Sequence, residues 1–377
     1  MKIALNVSRV LVGLLFIFSG LVKANDPLGL SYKMQEFFEV WGWQSLNDYT
    51  LFFSLMMNGF EIVAGVAVLL GWRMRLFSWL LLLLIIFFTF LTGYAVFSGK
   101  IHACGCFGDC IPLSPMQSFL KDLVLLALIV YIFSHRNRIV PVFRSATCGI
   151  LIILTGLFAG VMQWYVLKHL PIVDCLPYKV GNNITEKMKL PAGAVPDSIA
   201  MTFVYLHNGK KVEFDGDHFP DDFNDSTYKF VERREVLVRP ASAQPAITDF
   251  YLSSVSGTDT TQAILSQENH YVLVFVKDLA TAKTRWEDNL PSIVDVCKEK
   301  NIPLFIVTAA PDLIRAHINT LPNVKASDVN FLVCDYTVIK TAARENPTYV
   351  IMRQANILGK YAAADHRKAY THLKSLK

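Results

Sequence analysis

Charge is scarce in this chain: Asp, Glu, Lys and Arg together make up 18% of its 377 residues. With 53% hydrophobic residues, that excludes both a disordered polyelectrolyte and a plain soluble enzyme. Other absences narrow the field further. No Gly-x-Gly-x-x-Gly follows a strand-like run, and no phosphate loop ends in Gly-Lys-Ser/Thr, so nothing indicates a nucleotide fold. There is no Gly-x-Ser-x-Gly elbow to carry a hydrolase serine. The net charge of +5 comes mostly from a few short loops, which argues against a nucleic-acid surface.

The hydrophobic excess is concentrated in the first half. Leu76–Phe97 runs without a single charge, long enough to cross a hydrocarbon core of about 30 Å. Further apolar stretches cover Ile3–Val22, Leu51–Leu70, Ser118–Phe133 and Thr147–Leu167, giving an expectation of five membrane spans. The first has no small-x-small cleavage site before Lys23, so it is read as a helix rather than a leader. Arg9 in the first span, and Lys121–Asp122 in the fourth, leave four spans as the rival count. Lys2, Arg73, Arg75, Arg136, Arg138 and Arg144 fall on one side, the expected cytoplasmic one. That makes a multi-pass inner-membrane protein with a cytoplasmic N-terminus, and places the loop 98–117 and everything after Leu167 in the periplasm.

Beyond Cys175 the charges balance, with 24 Lys/Arg against 23 Asp/Glu, as in an ordinary soluble domain. Residues 178–246 read as a β-rich connector, with strands at Ala200–Leu206, Lys210–Phe214 and Tyr228–Val238 and a tight turn at His207-Asn-Gly209. From about Ile247 the pattern alternates: strands at Tyr271–Val276, Pro303–Thr308, Phe331–Cys334, Thr348–Met352 and Ile357–Tyr361, with helices near Thr284–Lys300, Pro311–Asn319, Thr337–Ala343 and Asp365–Leu376. This order resembles the thioredoxin fold, which implies a cis peptide at Asn346–Pro347. Where that family carries Cys-x-x-Cys, this chain has Lys277-Asp-Leu-Ala-Thr-Ala282. Without sulfur no thiol exchange runs there, so the domain is expected to dock or scaffold, and Cys297 and Cys334 to be buried thiols.

Chemistry is expected in the loop after the third span: His102-Ala-Cys104-Gly-Cys106-Phe-Gly-Asp-Cys110. With Cys175 beyond the fifth span, four thiols share one face, allowing two bridges in three connectivities. A Cys104–Cys106 bridge closes a very small ring and would be strained and easily reduced; Gly105 and Gly108 permit the backbone it needs. Static stapling of the loop is the alternative. No metal site is expected, because Cys-x-Cys-x3-Cys matches no usual zinc spacing. His102, if charged, would lower a neighbouring thiol's pKa. Glu61 lies near the middle of the second span, where a carboxylate is costly. Three readings stay open for it: an ion pair with Arg9, a proton-handling or quinone-head-group role, or a protonated packing residue. Asn58 shares its helix face, and Gly65 would let another helix approach. Leu30–Trp43, with Met34, Phe37, Phe38 and Trp41 at helical spacing, suits an interfacial helix that caps the bundle or roofs a lateral quinone entrance.

Cys104-Gly-Cys-Phe-Gly108 after a third span, Phe18-Ser-Gly-Leu-Val-Lys23, Asp26-Pro-Leu-Gly29, Tyr32-Lys33 and Glu61 with Gly65 and Gly71 together resemble the MauE/DoxX group of redox-associated membrane proteins. The whole is similar to DoxX-like proteins of Bacteroidota that carry a thioredoxin-like tail. The resemblance covers residues 1–135 and, more loosely, 247–377. It implies sulfur redox chemistry at a membrane: MauE members are implied in maturing methylamine dehydrogenase, and DoxX types in thiosulfate:quinone oxidoreduction.

The expected architecture is therefore an α-helical membrane bundle, four-helix DoxX/MauE-like over 1–135 plus a fifth transmembrane helix in 136–177. A β-rich connector over 178–246 and an α/β thioredoxin-like domain over 247–377 follow. The expected function is thiol/disulfide exchange at Cys104 and Cys106, with Cys110 and Cys175 as relay pair or fixed clamp, His102 and Glu61 in support, and quinone as the one cofactor considered. The partners are membrane lipids and a periplasmic thiol-containing client. The alternative is a non-enzymatic assembly factor or anchor whose tail binds an exported client.

Overall fold

The computed structural model describes all residues except 1, 102–104, 106, 196–197, 208, 216–218, 221–222, 225, 240–243, 322 and 377, and the side chains of 198–200, 235–239, 281 and 283–288. Its first half consists of six helices: α1 Lys2–Asn25, α2 Pro27–Trp41, α3 Thr50–Leu70, α4 Met74–Ser98, α5 Pro115–Ser134 and α6 Ser145–His169. Five of them, all but α2, are long and apolar enough to cross a membrane, as the charge-free runs indicate. Local chemistry sets their ends. Asp26 caps α2 by accepting from Gly29 N, with Pro27 in its first turn. Ser114 and Gln117 form a reciprocal capping box on α5. Gly71, at φ 66°, lets α3 end in a left-handed turn.

Antiparallel α1 and α3 pack at the centre of the bundle. A Cβ on Gly65 would sit 2.7 Å from Gly13 O, so only glycine permits this approach. Val12, Phe16, Ala64, Val68, Leu81, Ile85, Leu125 and Ile129 fill the core from four helices. Leu11, Leu14, Leu83, Ile86, Ile153 and Leu157 point outward, as a lipid-facing surface requires.

A short helix, α7 (Ile184–Lys187), leads into a three-stranded antiparallel sheet of β1 Ser198–His207, β2 Lys210–Asp215 and β3 Tyr228–Arg239, in the order β2-β1-β3. These are the expected connector strands. The second half then adds β4 Ser253–Ser254, α8 Thr261–Leu265, β5 Tyr271–Val276, α9 Leu279–Glu299, β6 Leu304–Thr308, α10 Pro311–Ile318, β7 Asn330–Val333, α11 Tyr336–Ala342, β8 Thr348–Arg353, β9 Asn356–Ala362 and α12 His366–Ser375. They build one six-stranded sheet in the order β4-β7-β6-β5-β8-β9. β5, β6 and β7 run parallel, while β8 and β9 return antiparallel.

Every residue of β5 is buried, which is why it reads as an unbroken apolar run. Val272, Val274 and Val276 pack towards Leu290, Ile293, Val294 and Leu373 on one face. Tyr271, Leu273 and Phe275 pack towards Ile264, Leu265, Val338 and Ile339 on the other. Tyr178 and Ile184 join that second core, so the chain leaving α6 is already part of the α/β domain's packing. The peptide Asn346–Pro347 is cis.

Candidate functional site

The α/β domain sits on the bundle end where α1 and α6 finish, and its contacts there are specific. Asn25, the last residue of α1, donates to Val173 O at 2.8 Å and accepts from Val173 N at 3.0 Å. Arg344, just after α11, is almost fully buried and bridges two bundle carboxylates: Nε to Asp26 Oδ2 at 2.8 Å and Nη2 to Asp109 Oδ2 at 2.7 Å. Lys360 on β9, also buried, pairs with Asp174 at 2.8 Å. His169 at the end of α6 reaches Asp365 at 2.9 Å.

Cys110 and Cys175 are joined as a disulfide across 65 residues of sequence, so of the three connectivities the one linking the loop to the stalk after α6 is formed. The bridge lies between the two anchored acids, since Asp109 precedes Cys110 and Asp174 precedes Cys175. His102, Cys104 and Cys106 lie outside the described residues; Gly105 and Gly108 are described, both with positive φ.

Lys277, between β5 and α9, faces the bundle. Lys277 Nζ donates to Arg344 O at 3.0 Å and to Tyr32 Oη on α2 at 3.4 Å. Its backbone N–H donates to Asn346 Oδ1 at 2.9 Å, and Asn346 Nδ2 donates back to Asp278 O at 2.7 Å. Burial, with Arg344 nearby, lowers the Lys277 pKa from 10.5 to about 8. Burial likewise raises Tyr32, and lowers Lys340, whose ammonium lies 4.5 Å from the Tyr32 ring centroid. Cys297 and Cys334 are buried and pushed up to about 12 by desolvation, which makes them inert.

Within the membrane segment the expected Arg9–Glu61 ion pair is not formed. The Gly13–Gly65 approach fixes the register of α1 against α3. Arg9 therefore lies level with the end of α3 and donates to Val68 O at 3.3 Å and Leu69 O at 3.2 Å. Glu61 is two turns away, about 12 Å along the axis. It pairs instead with Lys23 and accepts from Ser19 at 3.0 Å. Asn58 donates to Lys23 O and to Gln163 on α6, which brings the fifth span into the same polar group. A second buried acid, Asp122, accepts from Lys121 at 2.7 Å and from Thr92 at 3.0 Å. A void of about 20 Å³, enough for a single water, touches both Glu61 and Asp122.

Two larger cavities meet at the cysteine loop. A cleft of about 760 Å³ lies between the bundle and the α/β domain, lined by Lys33, Glu36, Asp109, Cys175, Lys340 and Arg344 among others. An apolar cavity of about 640 Å³ lies among α2, α3 and α4, walled by Met34, Phe37, Phe38, Trp41, Met57 and Phe60. Gly105 lines both. The helix at Pro27–Trp41, expected at the interface, is the wall that separates them.

The residues 1–135 match the family described as methylamine utilisation protein MauE. Residues 1–135 are a MauE-family domain. Its span holds α1 to α5, the Lys23–Glu61 pair and the Cys-Gly-Cys loop, which makes the chain a multi-pass membrane protein. Residues 199–240, essentially β1 to β3, match a domain of unknown function (DUF8463). Protein TlpB of Flavobacterium psychrophilum is 28% identical over 128 residues, 33% of this chain and 35% of that protein, so the match spans about a third of each. No solved structure matches.

Sequence reasoning singled out Glu61, but not Lys23 as its partner. It also passed over Arg344, Asp109, Asp174 and Lys360, and quoted Asp26 without foreseeing Arg344 as its partner. The available signal was positional: Asp109 and Asp174 each precede a cysteine, and Arg344 stands three residues before the cis proline.

Proposed function

We propose that the protein is an inner-membrane thiol/disulfide redox protein whose reactive pair is Cys104 and Cys106, with the α/β domain in the periplasm. A client dithiol reduces the Cys104–Cys106 disulfide through a mixed disulfide and leaves oxidised. The two thiols formed then pass two electrons and two protons to a quinone, which leaves as the hydroquinone, and their disulfide is restored. The observation that carries this reading is the position of Gly105. The residue between the two cysteines lines both the polar cleft, through which a client approaches, and the apolar cavity among α2, α3 and α4.

Cys110 and Cys175 serve as the clamp in this reading, because their bridge lies between two anchored carboxylates. The orientation is supported by Arg73, Arg75, Arg136, Arg138 and Arg144, all at the bundle end opposite the α/β domain. The α/β domain, thioredoxin-like in its element order, contributes no thiol at the start of α9 and acts as the roof of the cleft. An anchor that binds clients at the Pro347 edge is less well supported, because Arg344 and Asn346 beside it are buried and Arg344 is tied to the bundle.

The test is trapping. Cys106→Ser leaves a single thiol that cannot resolve a mixed disulfide, so cells expressing it should accumulate a reducible adduct to an exported thiol protein through Cys104. Absence of any adduct from both Cys104→Ser and Cys106→Ser would remove the exchange reading.

A further inference from the structure

We propose that the cleft between the bundle and the α/β domain binds an acidic stretch of the client chain, with Lys179, Lys187 and Lys340 meeting its carboxylates. The inference rests on the redox reading above and names the chemistry of the segment that carries the client's thiols.

The charges lining the cleft do not cancel. Among the described residues its walls hold five cations, Lys33, Lys179, Lys187, Lys340 and Arg344, and three acids, Glu36, Glu39 and Asp109. Lys33 is taken by Glu36 at 2.8 Å, and Arg344 by Asp109 at 2.7 Å and by Asp26. The ammonium groups of Lys179 and Lys187 make no hydrogen bond or ion pair among the described residues. Lys340 donates to the amide oxygen of Gln35 at 3.1 Å and lies 5.1 Å from the Tyr336 ring centroid, both neutral partners. Three cations thus face the cleft against one remaining acid, the exposed Glu39 of α2. Burial lowers the Lys340 pKa, and a client carboxylate beside it would offset that desolvation.

The distribution of these cations selects an extended ligand. Lys179 follows the stalk that carries Cys175, Lys187 ends α7, and Lys340 lies within α11, so the positive charge comes from three separate segments. The cleft, at about 760 Å³, lies towards the upper end of the range for small-molecule sites. A lipid headgroup concentrates its charge at one phosphate. An extended peptide places a side chain about every 3.3 Å, so several carboxylates reach several lysines together. Gly105 lines the same cleft and presents no side chain to it, so a chain held by these lysines passes beside the Cys-Gly-Cys loop. Complementary charge of this kind steers the encounter and selects among clients more than it adds raw affinity.

The test uses a chain and ligands that cannot exchange thiols, which separates it from the exchange reading. Short labelled peptides with Ser at the cysteine positions are titrated with full-length Cys104→Ser/Cys106→Ser protein in neutral-detergent micelles, and fluorescence anisotropy is followed. One peptide carries Glu and Asp around the serines, a second Gln and Asn, a third Lys. The acidic peptide should bind about tenfold more tightly than the Gln/Asn peptide, as three partly exposed ion pairs supply. That advantage should shrink as salt is raised. Lys179→Gln/Lys187→Gln should remove most of it at an unchanged thermal midpoint, because neither ammonium has a partner to lose. Lys340→Met should weaken acidic-peptide binding about threefold. Equal affinity for the acidic and Gln/Asn peptides, tighter binding of the Lys peptide, or a preference that survives the double lysine change overturns the proposal. Full displacement of the acidic peptide by glycerol phosphate at equal concentration marks a lipid-headgroup seat and overturns it as well. Each result is independent of whether Cys104 traps an adduct.

Discussion

Arg344 Nη2 lies 2.7 Å from Asp109 Oδ2, and Asp109 is the neighbour of Cys110 in the disulfide that ties the loop to the stalk. On the other side of that bridge, Asp174 is held by Lys360 at 2.8 Å. Two cations of one domain thus grip the two segments that the disulfide joins, and the Cys-Gly-Cys loop leads directly into that grip.

Arg344 is therefore the principal latch. Arg344→Met leaves Asp26 and Asp109 without their cation and should cost about 2–4 kcal/mol of docking, less than a fully buried pair because Asp109 is 42% exposed. Hydrogen exchange should rise around 26–29, 107–113 and 340–346 while β5 and β6 stay protected. Arg344→Lys, which cannot bridge two carboxylates in the same planar fork, should be intermediate.

The disulfide should behave as a clamp rather than a relay. Closing a loop of this length is worth about 4 kcal/mol in the chain-entropy account, and less here because the membrane already confines the helices inside the loop. Cys110→Ser/Cys175→Ser should lower the thermal midpoint, yet still form Cys104 adducts in the Cys106→Ser background. Loss of adducts with an unchanged midpoint would instead make the pair a relay.

Lys23 and Glu61 should show strong coupling. Lys23→Met or Glu61→Leu alone strands a buried charge and should cost about 3–5 kcal/mol. The double variant should recover most of that, giving a thermal-unfolding cycle far from additive. Additive single effects would mean that the two side chains do not act as a pair.

How much of this was legible in the sequence follows from the range of the forces involved. The spans, the apolar run of β5 and the helix carrying Phe37 and Trp41 are written in local patterns, and the structure has them where those patterns fall. The order of strands and helices from Tyr271 onward was legible for the same reason, whereas the two-residue β4 and the single turn of α8 before it are too short to leave a periodic pattern. The partner of Glu61 was not, because the register of α1 on α3 depends on the Gly13–Gly65 contact, a long-range fit that no periodicity records. The Cys110–Cys175 pairing depended on where α6 ends relative to the loop, and the role of Arg344 on how two modules meet.

Lys277 gives a pH signature. Its pKa falls from 10.5 to about 8 in the folded protein, so between those values the unfolded chain binds more protons and stability rises with pH. Below pH 8 both states are charged and the penalty is constant. Relative to Lys277→Met, the wild type should gain stability from pH 8 to pH 10, by at most about 3 kcal/mol and less for its partial exposure. A pH-independent difference between the two proteins would show that Lys277 titrates normally.

The most direct measurement is the thiol state of Cys104 and Cys106, read by differential alkylation and mass spectrometry in native membranes. With a mild dithiol reductant, both cysteines should become alkylated while Cys110 and Cys175 stay protected, and added decyl-benzoquinone should reverse the labelling of the first pair. If all four cysteines respond together, or if Cys104 and Cys106 never change state, the redox account is contradicted.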